Sequence, residues 1–79
     1  MPTVLRTGGA EFRIYIDDHV PPHVHVFVSG DEVVILLGSR DEAPQLRETY
    51  ASRRRTRRAL DLTCENQLYL LNRWEEIHG

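Results

Sequence analysis

The residues best equipped for chemistry sit in one stretch, Asp17-Asp18-His19-Val20-Pro21-Pro22-His23-Val24-His25. Histidines two apart on a strand project from the same face with Cα atoms about 6.5 Å apart, which lets two imidazoles reach one ion. The Pro21-Pro22 corner can fold His19, Asp17 or Asp18 back as a third ligand. Such a nitrogen and carboxylate set suits zinc or another divalent metal with an open position. The same groups offer metal-free chemistry, because imidazole titrates near neutrality and His23 with His25 would serve as general acid and base. A structural reading stands beside both: Asp17 and Asp18 cap a turn by accepting backbone N–H groups, and the two histidines form a half-exposed pair. There is no HExxH pattern. The lone Cys64 excludes an intramolecular disulfide and any cysteine zinc cage.

A second constellation is electrostatic. All ten basic residues are arginine, and five of them are Arg53, Arg54, Arg55, Arg57 and Arg58. Residues 1–50 carry a net charge of -4 and residues 51–79 a net +2, within a total of -2. If a helix starts at Ser52, these arginines crowd its positive end while Glu75 and Glu76 lie at its negative end. Each such placement costs about 0.3–1 kcal/mol when exposed, and Arg57–Asp61 spacing recovers only a few tenths. An anion docking there, either a phosphate backbone or an acidic protein surface, would turn that cost into binding energy. A solvated basic turn is the alternative.

The elements that must hold these groups are legible from periodicity. Thr3 to Arg6 is a short strand stopped by Gly8-Gly9. Glu11 to Ile16 alternates, with Phe12, Ile14 and Ile16 on one side and Glu11, Arg13 and Tyr15 on the other. His23 to Val28 resumes the alternation after the prolines, setting His23, His25 and Phe27 opposite Val24, Val26 and Val28. Val33 to Leu37 is apolar enough for a central strand. Gly38 to Pro44 is a polar loop, and Gln45 to Tyr50 fits an edge strand or irregular chain equally well. From Ser52, an N-cap, a stripe of Thr56, Ala59, Leu60, Thr63, Cys64, Gln67, Leu70, Leu71, Trp74, Ile77 and His78 predicts one continuous helix over 52–78, with Asn66 the place for any bend. On that stripe Cys64 is expected to be packed, Gln67 hydrogen-bonded and Trp74 a core anchor. Leu62 and Tyr69 fall on the polar face, a narrow seam for a partner or a homodimer.

These elements make one α+β domain over residues 1–79: an antiparallel sheet of three to four strands from the 1–50 half, packed on one long C-terminal helix. The sheet face away from the helix would show Glu11, Arg13, Tyr15, His23, His25 and Phe27 to water, a candidate contact surface. Seventy-nine residues leave no room for a second core. The composition is globular, the start lacks the apolar segment of a secretory signal, and no apolar run approaches the roughly 20 residues of a membrane helix. A cytoplasmic protein is the expectation.

The opening Met1-Pro2-Thr3-Val4-Leu5-Arg6, the Asp17 to Val26 segment, and the helix residues Arg58-Ala59-Leu60 and Leu70-Leu71-Asn72-Arg73-Trp74 resemble a family of small bacterial proteins catalogued as domain of unknown function 4160. The likeness runs end to end, and the DDHxPPHxHV segment is its most specific part. The middle, Gly38 to Ser52, follows no family pattern, and Gln67 with Tyr69 replaces a more charged stretch. Genes of this family often lie beside those of a second small family, numbered 2442, in an arrangement similar to a toxin–antitoxin operon. The resemblance therefore implies one half of a two-protein module; it carries over no catalytic or metal-binding residue, and the histidines are nominated on chemistry alone.

Three functions follow as expectations. The first is an interaction protein that pairs with a second small protein, with Arg53 to Arg58 meeting acidic groups and the Tyr15/His23/His25/Phe27 face supplying contacts. The second is a small hydrolytic, RNA-cleaving toxin built on His23 and His25, with or without zinc. The third is a non-enzymatic nucleic-acid binder using the arginines.

Overall fold

A computed structural model describes residues 2–79. The sheet is a meander in which every strand pairs antiparallel with its sequence neighbours: β1 (Thr3–Thr7), β2 (Ala10–Arg13), β3 (His23–Val28), β4 (Asp31–Leu36) and β5 (Gln45–Thr49). Two hairpins set its register. Gly8 and Gly9 (φ 59° and 79°) join Thr7 to Ala10, and Ser29 and Gly30 (φ 52° and 86°) join Val28 to Asp31. Two consecutive residues at positive φ match the right-handed twist of the strands that they connect.

The strand count is five where three to four were expected. The extra member is β5, exposed along its whole length. It has Leu46 as its only apolar side chain and so carries no period-2 signal. Its backbone pairing with β4 holds it, through a register shift between Val34 and Ile35. The second strand is shorter than its alternation suggests. Asp18 N–H donates to Tyr15 C=O (3.1 Å), closing a turn that throws Ile16 into solvent at 80% exposure.

The C-terminal segment is two helices, α1 (Arg53–Glu65) and α2 (Gln67–His78), instead of one. Asn66 is the break. Its backbone leaves helical geometry (φ -117°, ψ 18°), and its side-chain amide donates to Leu62 C=O at 2.8 Å. The Leu62 carbonyl thus accepts both this amide and the Asn66 N–H (3.2 Å), which is shared with Thr63 C=O (3.2 Å); such side-chain bonding to the local backbone is what makes Asn a poor helix-interior residue. Around the break the buried stripe drifts from the predicted one. Ala59, Leu62 and Thr63 face the core in α1, then Leu70 and Trp74 in α2.

Two side chains change sides as a result. Leu62 is buried; its Cδ2 lies 2.8 Å from where a Cβ on Gly8 would sit, so a side chain there would be strained by the positive φ (59°) and would have to displace Leu62. Cys64 is exposed. The Leu62/Tyr69 seam therefore does not exist, since Tyr69 also turns its hydroxyl inward to Val4 C=O (3.0 Å). The helices cover the sheet face of Ala10, Phe12, Val24, Val26, Val33 and Ile35, all at most 5% exposed. Gln67 bridges helix and loop: its Nε2 lies 2.7–2.8 Å from the carbonyls of Leu37, Ser39 and Glu42.

Candidate functional site

The chain between β2 and β3 builds the histidine site. After β2, Ile14 N–H donates to Pro2 C=O, and the turn from Tyr15 to Asp18 follows. Asp18 fixes that turn twice, because its Oδ2 also accepts the Tyr15 N–H at 3.0 Å. This leaves Oδ1 aimed at β3. The chain then passes the cis Val20–Pro21 bond and enters β3, with Leu37 N–H donating to Pro22 C=O.

His23 and His25 meet Asp18 there. Asp18 Oδ1 lies 3.5 Å from His23 Nε2 and 3.4 Å from His25 Nε2, and the three potential ligand atoms fit within 4.8 Å of one another. Each imidazole is gripped on its other nitrogen: His23 Nδ1 by Pro21 C=O (3.0 Å), His25 Nδ1 by Glu32 Oε2 (2.7 Å). Tyr15 packs edge-on to His25 (ring centroids 4.9 Å apart), and Trp74 lies 5.4 Å from His23 and stacks on His78 at 3.8 Å. His78 Nε2 in turn meets Tyr15 C=O at 3.1 Å. The cluster is consequently enclosed, with side-chain exposures of 7%, 17% and 15% for His23, His25 and Asp18.

Of the five candidate ligands, Asp18, His23 and His25 come together. Asp17 and His19 stay exposed and outside the group. The notion of an open face shared by Tyr15, His23, His25 and Phe27 needs correction. His23 is buried because Trp74 reaches it from α2, and Phe27 is covered by the Arg13 guanidinium, 4.3 Å from its ring centroid. Arg13 is itself held by Glu11 Oε2 at 2.6 Å. Bonding to Arg13, and then to Thr3, holds the Glu11 carboxyl below its ordinary range.

Glu32 went unnoticed in the sequence, although the signal was present. A two-residue Ser29-Gly30 turn pairs Phe27 with Glu32 and His25 with Val34, so Glu32 is the diagonal neighbour of His25 on one face.

The arginines occupy the opposite end of β3. From His23 to Val28 a strand advances about 17 Å. Beyond Val28, Gly8, Gly9 and Ser29 face Arg54, Arg55, Arg57 and Arg58 across a groove of about 770 Å³. Ser52 caps α1 as expected, its Oγ accepting from Arg55 N–H (3.2 Å). Three arginines have partners: Arg55 with Asp31 (2.8 Å), Arg57 with Asp61 (3.4 Å) and Arg58 with Gly8 C=O (3.0 Å). Among the described residues Arg53 and Arg54 have no ion pair, and no acid occupies the first turn.

An α+β meander with an enclosed His-His-Asp group at one end and a basic helix start at the other defines the class. The chain belongs to the family described as Domain of unknown function (DUF4160), which matches residues 9–75 and so takes in both ends. No curated protein and no solved structure shows significant similarity to it. No helix among the described residues is long and apolar enough to cross a membrane.

Proposed function

We propose that this protein is an interaction module, one component of a toxin–antitoxin-like pair, and that the first turns of α1 dock acidic side chains of a second small protein encoded nearby. The observation that carries this reading is the state of Arg53 and Arg54: exposed, without an ion pair among the described residues, at the positive start of a helix that has no acid in its first turn. Folding gains nothing from two cations in that position. A partner carboxylate would meet guanidinium forks that suit bidentate pairing and free N–H groups of the first turn. Apolar contact is at hand as well, since Leu46 and Leu60 line a hollow of about 390 Å³ beside Arg53 and Arg57.

Charge favours a protein over a nucleic acid as the occupant. The strand half carries -4 and would repel a phosphate backbone that extended past the arginines. The hydrolytic reading needs arginines and histidines on one substrate, and about 10 Å of strand from His25, or about 17 Å from His23, separates them from the Val28 end.

The test is affinity purification of the tagged chain from its own host after nuclease treatment, beside an Arg53→Glu/Arg54→Glu variant. The wild type should retain a stoichiometric small protein and the variant should lose it, roughly 100-fold or more in affinity. The variant's Tm should hold or rise, because both new carboxylates suit the helix dipole. A wild type recovered alone, a variant that still pairs, or retained material that nuclease removes would each overturn the proposal.

A further inference from the structure

We infer that Asp18, His23 and His25 form a site for a tetrahedral divalent metal of the zinc class. Pro21 C=O can only accept, so His23 Nδ1 carries the hydrogen in that 3.0 Å contact; Glu32 as a carboxylate likewise takes the His25 Nδ1 hydrogen at 2.7 Å. In the neutral imidazoles, both Nε2 atoms then present lone pairs. These two lone pairs and Asp18 Oδ1 converge on one point with side chains no more than 17% exposed. Three acceptors facing each other in an enclosed space repel unless a cation stands between them.

The spacing is wider than strong proton-mediated pairing gives. Charge-assisted N–H to carboxylate bonds run about 2.7–2.9 Å, as His25 Nδ1 and Glu32 do; Asp18 Oδ1 is 3.4–3.5 Å from both Nε2 atoms. Ligands about 2.05 Å from a tetrahedral zinc are separated by about 3.3 Å along each edge, against about 2.9 Å for right-angled neighbours in an octahedral shell. The two observed N···O edges fit the tetrahedron. The trio already lies within 4.8 Å, so its nitrogens need to close by at most about 1.5 Å.

The outer shell is that of a metal site too. A histidine ligand characteristically gives its second N–H to a carboxylate or a backbone carbonyl, fixing tautomer and ring plane. Here one ligand has each kind of partner, Glu32 and Pro21. Asp18 is similarly tethered: its Oδ2 accepts the Tyr15 N–H while lying 3.4 Å from His25 Nε2, and Oδ1 is the oxygen within reach of both imidazoles. The fourth position falls to water. A metal so placed ties the Tyr15–Pro22 crossover to β3, and binding it stabilises the folded chain.

The test uses the full-length protein stripped with a chelator and titrated with cobalt(II), then zinc in competition. One equivalent of cobalt should give the intense visible bands of a tetrahedral centre, zinc should displace it, and Tm should rise. Asp18→Asn and His25→Gln should each abolish the bands, and Glu32→Gln should weaken affinity about 10–100-fold. Asn can still accept the Tyr15 N–H, so Asp18→Asn keeps the turn, and circular dichroism of the stripped variants checks their folds. Absence of binding by the wild type, a weak octahedral spectrum, or bands that persist in a folded Asp18→Asn or His25→Gln protein would overturn the site. None of these outcomes depends on the docking face.

Discussion

At the His23 end of β3, charge and polarity are gathered inward: two imidazoles, two carboxylates and a carbonyl hold one another beneath Tyr15 and Trp74. At the Val28 end the same strand runs into arginines that look outward, two of them without an ion pair among the described residues. The difference follows from desolvation. A buried polar atom without a partner costs about 1–3 kcal/mol, so an enclosed cluster survives only when each group is answered. An exposed guanidinium is hydrated and costs the fold only tenths, which leaves it available to another molecule. Enclosure points to a ligand that can be swallowed, such as an ion; exposure points to a surface.

That contrast can be broken hardest at Trp74, the wall of the histidine end. Trp74→Ala should cost about 3–5 kcal/mol, measured by urea denaturation, and should loosen cobalt binding far more than docking by the protein that remains folded. An equal loss at both ends would erase the distinction. The arginine end should yield less to a structural change: Ser52→Ala removes the Arg55 N–H acceptor and should cost about 1 kcal/mol, with metal affinity unchanged. The smallest effect concerns the Glu11–Arg13 pair beside Phe27. Its carboxyl is held below the ordinary 4.5, so its contribution is complete above that value and fades as pH falls through the lowered one. Thermal melts from about pH 7 to about pH 3 should show wild type and Glu11→Gln converging in acid. A constant gap would place the contribution elsewhere.

The two ends were unequally legible in the sequence. The arginines are contiguous, and an N-cap with a period of 3.6 places them on a helix start without any tertiary information. The histidine cluster needed distance information: spacing alone proposes five ligands, and only the Tyr15–Asp18 turn selects Asp18 over Asp17 and His19. That same turn exposes Ile16, which alternation had assigned to the core. Periodicity also misjudged Leu62 and Cys64, because a stripe drawn through Asn66 assumes a straight axis and the Asn66 side chain ends it. β5 was undecidable for a different reason. Its place is set by backbone bonds to β4, which have no residue preference to read.

The exposure of β5 has a consequence for the protein at high concentration. An edge strand with free N–H and C=O groups along its outer side is a template on which copies can stack. Here the middle residues of Gln45–Thr49 are Arg47 and Glu48. If two copies added edge to edge antiparallel about Arg47, the two guanidiniums would face each other and each Leu46 would oppose a Glu48. Like charges directly opposite are destabilising, and a leucine gains nothing against a carboxylate. The strand thus carries its own guard against edge-to-edge filament growth, built from its sequence and not from a covering element.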